Sequence, residues 1–386
     1  MDPLTQGIVA TTASQSVSNK EKLLIASILG FLSGLAPDID IFIRSTDDPL
    51  LFLEFHRQFT HSLLFIPYIF LYITMSYIVS YNSDMMISII TINFNSSEYT
   101  IKLVNSIFNK VSSDIRYQII ITDNASESSD YQNLIDNIPK DKNIKIIRSN
   151  VNTGFAGGNM SGYKESSGEY LLFINNDCEC INDVVTPLVD FMKKNKSVGL
   201  ITGKIKGKDG KYGGSHCLFP CISKSLFGTE MCRLLHTNKF ISPKKPVTKP
   251  MKVQVVTGAF MFFNRSVFED INGFDTNFFL DCEEEDISKR VWDIGKDVYM
   301  IPEPEVIHEH GGSKDSNPDI SNEYYISYRK LIFKHYSTPY ALIMMLFVYL
   351  KLIRNIIYMR TNLNLIKIAL QGFPESKSLR YKQKKQ

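Results

Sequence analysis

Four short apolar runs, each with a polar residue at or just past its end and separated by helix-forming stretches, restrict this chain more than any other feature. They are Met86–Phe94 (MISIITINF), Tyr117–Thr122 (YQIIIT), Asn143–Arg148 (NIKIIR) and Tyr170–Asn175 (YLLFIN). Runs of this length and β-branched content predict buried strands. Between them, Asn95 with Glu98 three residues on resembles a capping box ahead of a helix to Lys110. Further helices are predicted over Tyr131–Ile138 and Gly158–Ser167. Strands alternating with helices imply right-handed βαβ units, and hence an α/β fold with a mostly parallel sheet flanked by helices. Such sheets bind ligands at the carboxyl ends of their strands. Polar clusters fall at those ends: Asn93 and Asn95, Asp123-Asn124, and Asn175-Asn176-Asp177.

The rest of the chain differs in kind. Its 386 residues suggest two or three domains, and the first 84 are markedly apolar. Leu23–Pro37 is a short apolar stretch, whereas Ser62–Asn82 has no charged side chain and is long enough to cross a bilayer as a helix. The alternative for it is a buried core helix. A two-span hairpin keeps Lys20 and Lys22 inside and is the preferred orientation. Lys204–Lys252, rich in Gly, Lys and Pro, reads as a long loop region. Val253–Phe263 resumes as a strand, Glu283–Trp292 as a helix, and the chain beyond His310 is helical. Tyr340–Tyr358 is apolar but interrupted by Lys351 and Arg354, which predicts a helix in the membrane interface rather than across it. Lys377, Arg380, Lys382, Lys384 and Lys385 suit either anionic headgroups or solvent.

The net charge of +3 is uninformative, but no basic, aromatic-interleaved stripe is present, so no nucleic-acid partner is expected. Cys178, Cys180, Cys217, Cys221, Cys232 and Cys282 form no C-x-x-C pair. Reduced, mostly buried thiols are the expectation, with a zinc site at Cys217 and Cys221 as the alternative.

Three elements carry chemistry. Asp123 closes a strand in IIITDNAS, where it can bind a base or ribose, or simply make an Asx-turn. Asn152-Thr153-Gly154-Phe155-Ala156-Gly157-Gly158-Asn159 allows close backbone approach, though its spacing is not the dinucleotide fingerprint. Asp177, just past LLFINN, stands where a metal ligand would, although a lone Asp at a strand end is usually a turn residue.

Taken in order, ISIITINFN, ITDNASES, NTGFAGGN, GEYLLFINND, VTGAFMFFNRSVFEDINGFDTNFFL, EEEDISKR and VIHEHGGS resemble an inverting family-2 glycosyltransferase, of the rhamnosyltransferase-like subgroup. The resemblance spans about Met86 to Ser313 and implies a nucleotide-diphospho-sugar transferase fold of GT-A type. It further implies a nucleotide-diphosphate sugar donor and a divalent metal, Mg or Mn. The acceptor implied is a polysaccharide of the cell surface or wall, or a lipid-linked molecule.

Position by position, Asp123 would meet the nucleotide base and Asp177 would close the Asp-x-Asp-like metal motif, written here Asn175-Asn176-Asp177. His308 would be the metal-linked histidine, with His310 as a rival. Thr257, Gly258 and Ala259 would line the sugar pocket, and donor binding is expected also from Asn95, Asn152, Gly154, Gly158, Asn159 and Asn175. The family's Glu-Asp pair falls on Glu283 and Glu284, so Glu284 replaces an Asp as the implied base. Glu283 and Asp286 would support it, and Arg290 is spaced to pair with Asp286. Without its neighbours, EEED reads as a solvated helix N-terminus favoured by the helix dipole. Met160 replaces a residue that is commonly Asn in the family, which weakens donor contact there.

MDPLTQG, Pro37-Asp38-Ile39-Asp40 and His56-Arg57-Gln58-Phe59-Thr60-His61-Ser62 resemble the start of a small bacterial inner-membrane family of metal-dependent hydrolases. Gln6 stands where that family has His, and the resemblance stops near Asn82. The expected organisation is therefore a membrane-associated hydrolase-like fragment over 1–84 with N-terminal membrane helices, a catalytic domain over 85–315, and a helical, membrane-interfacial basic tail over 316–386. The expected location is the cell inner membrane with the catalytic domain on the cytoplasmic side. The competing reading is a membrane hydrolase carrying a non-catalytic, transferase-like sugar-binding module.

Overall fold

The computed structural model describes residues 86–235, 247–309, 318–358 and 363–383, with isolated positions at 8–12, 15, 27, 28, 30, 31, 242 and 245. The chain forms two compact units, Met1–Asp84 and Met85–Gln386. In the first, residues 8–12 are helical. Ser62–Asn82, Pro37–Asp40 and His56–Ser62 lie outside the described residues, so the expected N-terminal membrane helices do too.

The second unit is built on a sheet whose first four strands are the four apolar runs: β1 (Met86–Asn93), β2 (Arg116–Asp123), β3 (Ile144–Arg148) and β4 (Tyr170–Ile174). Side chains alternate between faces along a strand, and both faces here are covered. Ile87, Ile89, Ile119, Ile121 and Leu172 pack on one side with Leu103, Val104 and Ile107 of α1 (Ser97–Lys110). Ile90, Ile120, Leu171 and Phe173 pack on the other. There they meet Ala156 of α3 (Gly154–Lys164) and, further along, Ile287 and Val291. Two-sided burial is why β1, β2 and β4 read as near-continuous apolar runs, whereas β3, at the sheet edge, is only half-buried and leaves Lys145 and Arg148 exposed.

The strand order is β3-β2-β1-β4-β10-β6-β11-β5, where β5 is Cys178–Cys180, β6 Val198–Lys206, β10 Phe260–Asn264 and β11 Asp297–His308. β1 to β4 are mutually parallel and β11 runs parallel to β6. β10 is antiparallel to both of its neighbours. The chain passes outward to β3 and returns to β4 on the other side of β1. The crevice at the carboxyl ends of β1 and β4 is therefore the switch point at which such sheets bind ligands.

Some expectations change. No capping box forms at Asn95: α1 is capped from Ser96 without a side-chain bond, and Asn95 adopts φ 50°. The Asn95 Oδ1 accepts instead from Glu127 N at 2.7 Å, at the start of α2 (Ser128–Asn137). α3 begins at Gly154, not Gly158, so the glycine-rich stretch is itself helical. The strand expected over Val253–Phe263 breaks at 257–259 between β9 (Val255–Val256) and β10. The region read as loop contains β7 (His216–Cys217), paired with β9, and α5 (Ile222–Leu235), which is broken at Gly228. Between β5 and β6 lies α4 (Thr186–Lys194), and β8 (Met251–Lys252) pairs with β11. α6 (Arg265–Asp270) and α7 (Glu283–Asp293) precede β11. α8 (Pro318–His335), α9 (Thr338–Ile357) and α10 (Leu363–Leu370) follow it. All six cysteines are unpaired, and among the described residues Cys217 and Cys221 belong to no metal-binding group.

Candidate active site

Register aligns the ends of three strands: Asn93 of β1 faces Asp123 of β2, which faces Arg148 of β3. Asp123 is fully buried. It accepts from Asn93 Nδ2 at 3.0 Å and pairs with Arg148 Nε at 3.3 Å. Arg148 also donates to Ser126 O at 3.0 Å and lies 4.0 Å over the ring of Tyr131. Asn93 Nδ2 further reaches Ser126 Oγ and Asp130, while its Oδ1 accepts from Thr100. Arg148 thus covers the outward side of Asp123, and a ligand reaching that carboxylate must displace or join it. A charged residue closing the third apolar run was the available clue to Arg148. Asn95 is exposed beside this network.

The glycine-rich segment is fixed by amides. Asn124 donates to Asn152 Oδ1 at 2.9 Å and to Gly154 O at 3.1 Å. Its Oδ1 accepts from Thr153 N and Oγ1. Gly154 has φ +75°, and a β-carbon there would lie 2.1 Å from Phe279 O. Only glycine fits. Gly158 lets α3 approach β1, since its β-carbon would meet Ile92 Cδ1 at 2.8 Å, and Asn159 is buried next to it. Met160 packs its sulfur on Gly273 rather than offering a polar group.

At the end of β4, Asn175 N donates to Ala259 O at 3.0 Å and Asn176 Nδ2 to Ser96 Oγ at 2.7 Å. These bonds join the β4 exit to the 257–259 turn and to α1. Asp177 then meets His308, the last residue of β11, with Oδ1 to Nε2 at 3.0 Å. Two ligands at right angles on a cation with bonds of about 2.1 Å stand about 3 Å apart, so this pair fits a hard divalent cation. A carboxylate and an imidazole would hold it and leave room for phosphate oxygens and water. The Cys178 thiol completes a group of three donors within 4.8 Å. Burial, with Asp177 nearby, pushes that thiol well up, and its Sγ faces Ala259 O. The imidazole and the carboxylate are therefore the donors suited to such an ion. His310 lies outside the described residues.

The acidic helix α7 supplies the opposite wall. Asp281 and Cys282 enter it with φ 66° and 69°, a conformation that costs non-glycine residues and often marks functional sites. Glu284 is half-buried, and a β-carbon built on Gly258 would sit 3.9 Å from its Oε2 and 3.3 Å from the ring of Phe155. Glu284, Gly258 and the start of α3 thus converge. Burial pushes the Glu284 carboxyl well above the usual range, and Glu285 and Glu283 add to it. Glu283, buried, is pushed up to about 8 by desolvation and by Asp281.

Asp286 behaves differently. Arg290 Nη2 and Lys334 Nζ both approach it at 2.6 Å, and His335 Nε2 lies at 2.7 Å. Burial works against its ionisation, but the His335 hydrogen bond and the charges of Arg290 and Lys334 outweigh it and hold the carboxyl down at about 2. The expected Asp286–Arg290 pair is present. The carboxylate is taken up by tying α7 to α8, a role for Lys334 and His335 that the sequence did not signal.

The structure therefore groups Asp177 with His308, Asn175 with Ala259, and Gly258 with Glu284, all on the rim at the strand ends, and turns Asp286 toward α8. A mixed sheet with two helical layers and this rim define the GT-A class of nucleotide-sugar transferase folds. Residues 88–272 match the family described as glycosyl transferase family 2. Residues 1–101 match the family described as YdjM inner membrane protein. That match runs past Asn82 into β1 and the first residues of α1.

Among curated proteins, the chain is 30% identical over 128 residues to a poly(ribitol-phosphate) beta-glucosyltransferase of Bacillus spizizenii, covering 33% of this chain and 20% of the relative. It is 23% identical to a probable N-acetylgalactosaminyltransferase 6 of Caenorhabditis elegans, covering 60% and 38%. It is 24% identical to human polypeptide N-acetylgalactosaminyltransferase 16, covering 60% and 41%. The chain thus spans well under half the length of these relatives. Among solved structures, GalNAc-T7 with UDP, GalNAc and Mn2+ superposes with TM-score 0.46 at 16% identity, covering 64% of this chain and 48% of that one. S. aureus TarS 1-349 superposes with TM-score 0.43 at 14% identity, covering 68% and 71%.

Proposed function

We propose that this protein catalyses inverting transfer of a hexosyl or deoxyhexosyl group, rhamnosyl among them, from a nucleotide-diphosphate sugar to a polysaccharide or lipid-linked acceptor. The observation that carries this reading is the placement of Glu284. Its raised carboxyl faces the 257–259 turn, and that turn is hydrogen-bonded to Asn175, two residues before Asp177. A base and a cation-holding pair thus share one rim.

In the reaction, the acceptor hydroxyl oxygen attacks the sugar C1 as its proton passes to Glu284. The new glycosidic bond forms while the bond from C1 to the diphosphate oxygen breaks, and the diphosphate leaves with the bonding pair. A single displacement inverts the anomeric centre. A cation held by Asp177 and His308 would supply positive charge against the departing diphosphate. Asp123, with Arg148 beside it, would receive the base. Asn95, Asn152, Gly154, Gly158, Asn159 and Asn175 frame the donor side, and Thr257, Gly258 and Ala259 the sugar. Burial keeps the Glu284 carboxyl high, with Glu285 and then Glu283 adding to it.

In the same reading, 85–315 is the catalytic domain, 316–386 a helical tail, and 1–84 a membrane-associated segment. The chain would reside at the inner membrane with its catalytic domain on the cytoplasmic side. Support for the membrane location comes from the 1–101 match to an inner membrane family.

The test is nucleoside diphosphate release by the full chain, with manganese, from a panel of nucleotide hexoses and deoxyhexoses. Release should depend on both acceptor and metal. No release and no donor-induced rise in Tm across the panel would overturn the proposal. Deleting 1–84 should preserve the specific activity of solubilised enzyme and reduce membrane retention.

A further inference from the structure

α9 presents two contrasting faces. Ala341, Met344, Met345 and Leu352 are buried against Ile326 and Ile332 of α8 and Leu365, Ile368 and Ala369 of α10. The opposite face carries Leu342 at 58% exposed, Leu346 at 55%, Leu350 at 50%, Ile353 at 53% and Ile357 at 71%. Steps of four, four, three and four residues put these five side chains on one line along the helix. Ile343 and Ile356 widen the stripe. A contiguous apolar strip of this length is not an ordinary soluble surface.

Charge identifies what covers it. From residue 338 to 386 the chain has nine Lys or Arg and one acidic residue, Glu375, although the whole chain is only +3. The remainder is therefore net acidic, and the basic excess is concentrated around this stripe. Lys351 and Arg354, both exposed, flank the apolar line on α9 itself. Lys367 of α10 and Lys377 and Lys382 beyond it are exposed as well. A second copy of the same face would oppose like charges, whereas an anionic lipid surface complements both features.

The helix is long and apolar enough to cross a membrane, but its buried face is occupied by α8 and α10. Spanning would strip that packing or carry α8, with Lys330 and Lys334, into hydrocarbon.

We propose that α9 is an in-plane anchor, which lies in the headgroup region of an anionic bilayer with Leu342, Leu346, Leu350, Ile353 and Ile357 inserted and Lys351 and Arg354 at the phosphates. The anchor belongs to the second unit. It follows α8 after two residues, 336 and 337, and α8 is the helix that holds Asp286 of the catalytic wall.

The test uses the full chain, which has a single tryptophan, Trp292. Leu350→Trp places an indole in the stripe, and the unsubstituted protein supplies the Trp292 baseline. Vesicles of phosphatidylcholine with about one third phosphatidylglycerol are prepared with acyl chains brominated near the headgroup or near the methyl end. The Leu350→Trp indole should shift to the blue and be quenched about twofold or more, most strongly by the shallow bromine. Adding Ile353→Glu should abolish the quenching with the circular dichroism unchanged. Pure phosphatidylcholine should quench several-fold less.

Three results would overturn the proposal. No quenching while the protein still sediments with vesicles would assign attachment elsewhere, to the Ser62–Asn82 run among other segments. Strongest quenching by the deep bromine would make α9 a spanning helix. A blue shift that grows with protein concentration in the absence of lipid would make the stripe a contact between copies. None of these outcomes depends on sugar transfer, so failure of the transferase proposal and failure of this one are distinguishable.

Discussion

The two walls of the strand-end crevice keep their polar groups in opposite states. On the β1–β3 side, Asp123 accepts from Asn93, pairs with Arg148 and receives Ser126 N, and Asn93 in turn is used by four partners. On the α7 side, Glu283 Oε2 and Glu285 Oε2 are buried with no hydrogen-bond partner among the described residues, and the carboxyls of Glu283, Glu284 and Glu285 are all raised. Buried carboxyl oxygens are normally satisfied because leaving one unmade costs about 1–3 kcal/mol. The first wall is a finished socket that positions by shape. The second stores unmet demand for protons or donors, which is where proton transfer is expected.

Removing Asp177, the proposed cation ligand, is the harshest way to break this contrast, because it belongs to neither wall and should silence both. Asp177→Ala is expected to reduce metal-dependent turnover by about 10³-fold or more while circular dichroism stays native. Turnover near that of the unsubstituted chain at limiting manganese would remove Asp177 from the metal site.

Next comes the demand side itself. Glu284→Gln keeps size and hydrogen bonding but cannot take a proton, so turnover should fall by about 10²–10⁴-fold with donor affinity by calorimetry unchanged. A raised carboxyl must lose its proton to act as a base, so turnover should climb with pH along a limb well above the ordinary carboxylate range. That limb should vanish in Glu284→Gln. If Glu283→Gln removes it instead, the base is Glu283.

Asp286 sharpens the comparison by lying on the demanding helix yet being fully paired. Asp286→Ala strands Arg290 and Lys334 and should cost about 3–5 kcal/mol in chemical denaturation. Its carboxyl is depressed, so its contribution is present above the ordinary aspartate value and is lost as pH falls through about 2. Glu283 has the reverse sign: its stabilising share is present at low pH and is lost as pH rises through about 8. Denaturation at several pH values in Asp286→Ala and Glu283→Gln separates the two slopes.

The smallest effect is expected on the finished socket. Asp123→Asn retains an acceptor for Asn93 but loses the ion pair to Arg148. Nucleotide affinity should weaken by about tenfold, with the pH profile unmoved. A shifted profile would show that the two walls are coupled.

β1, β2 and β4 were legible in the sequence because two-sided burial leaves near-unbroken apolar runs, β3 by its alternation of isoleucines with exposed Lys145 and Arg148, and the polar rim because a hydrogen-bonding residue stands at the end of each run. The resemblance named Asp177 and His308, but their 3.0 Å approach depends on β5 pairing with β11, which no local pattern announces. The helical start at Gly154 was hidden because glycine disfavours helix. Contacts override that preference: glycines at 158 and 162 let α3 sit against Ile92 and Ile90, at distances a side chain would block. Nothing in the sequence singles out Lys334 and His335, and only the fold brings them to Asp286.

The Gly154 contact has a bearing on protein engineering. Phe155 N donates to Phe279 O at 2.8 Å, and any β-carbon at 154 would strike that same carbonyl. The 152–155 turn and the segment that launches the acidic helix are therefore a matched pair held by one peptide group. A chimaera that grafts 152–159 from another transferase onto this scaffold will inherit a turn shaped to a different carbonyl. Grafts that carry 152–159 together with 274–286 should keep their activity, whereas either piece alone should arrive misaligned. The natural unit of exchange at this rim is discontinuous in sequence.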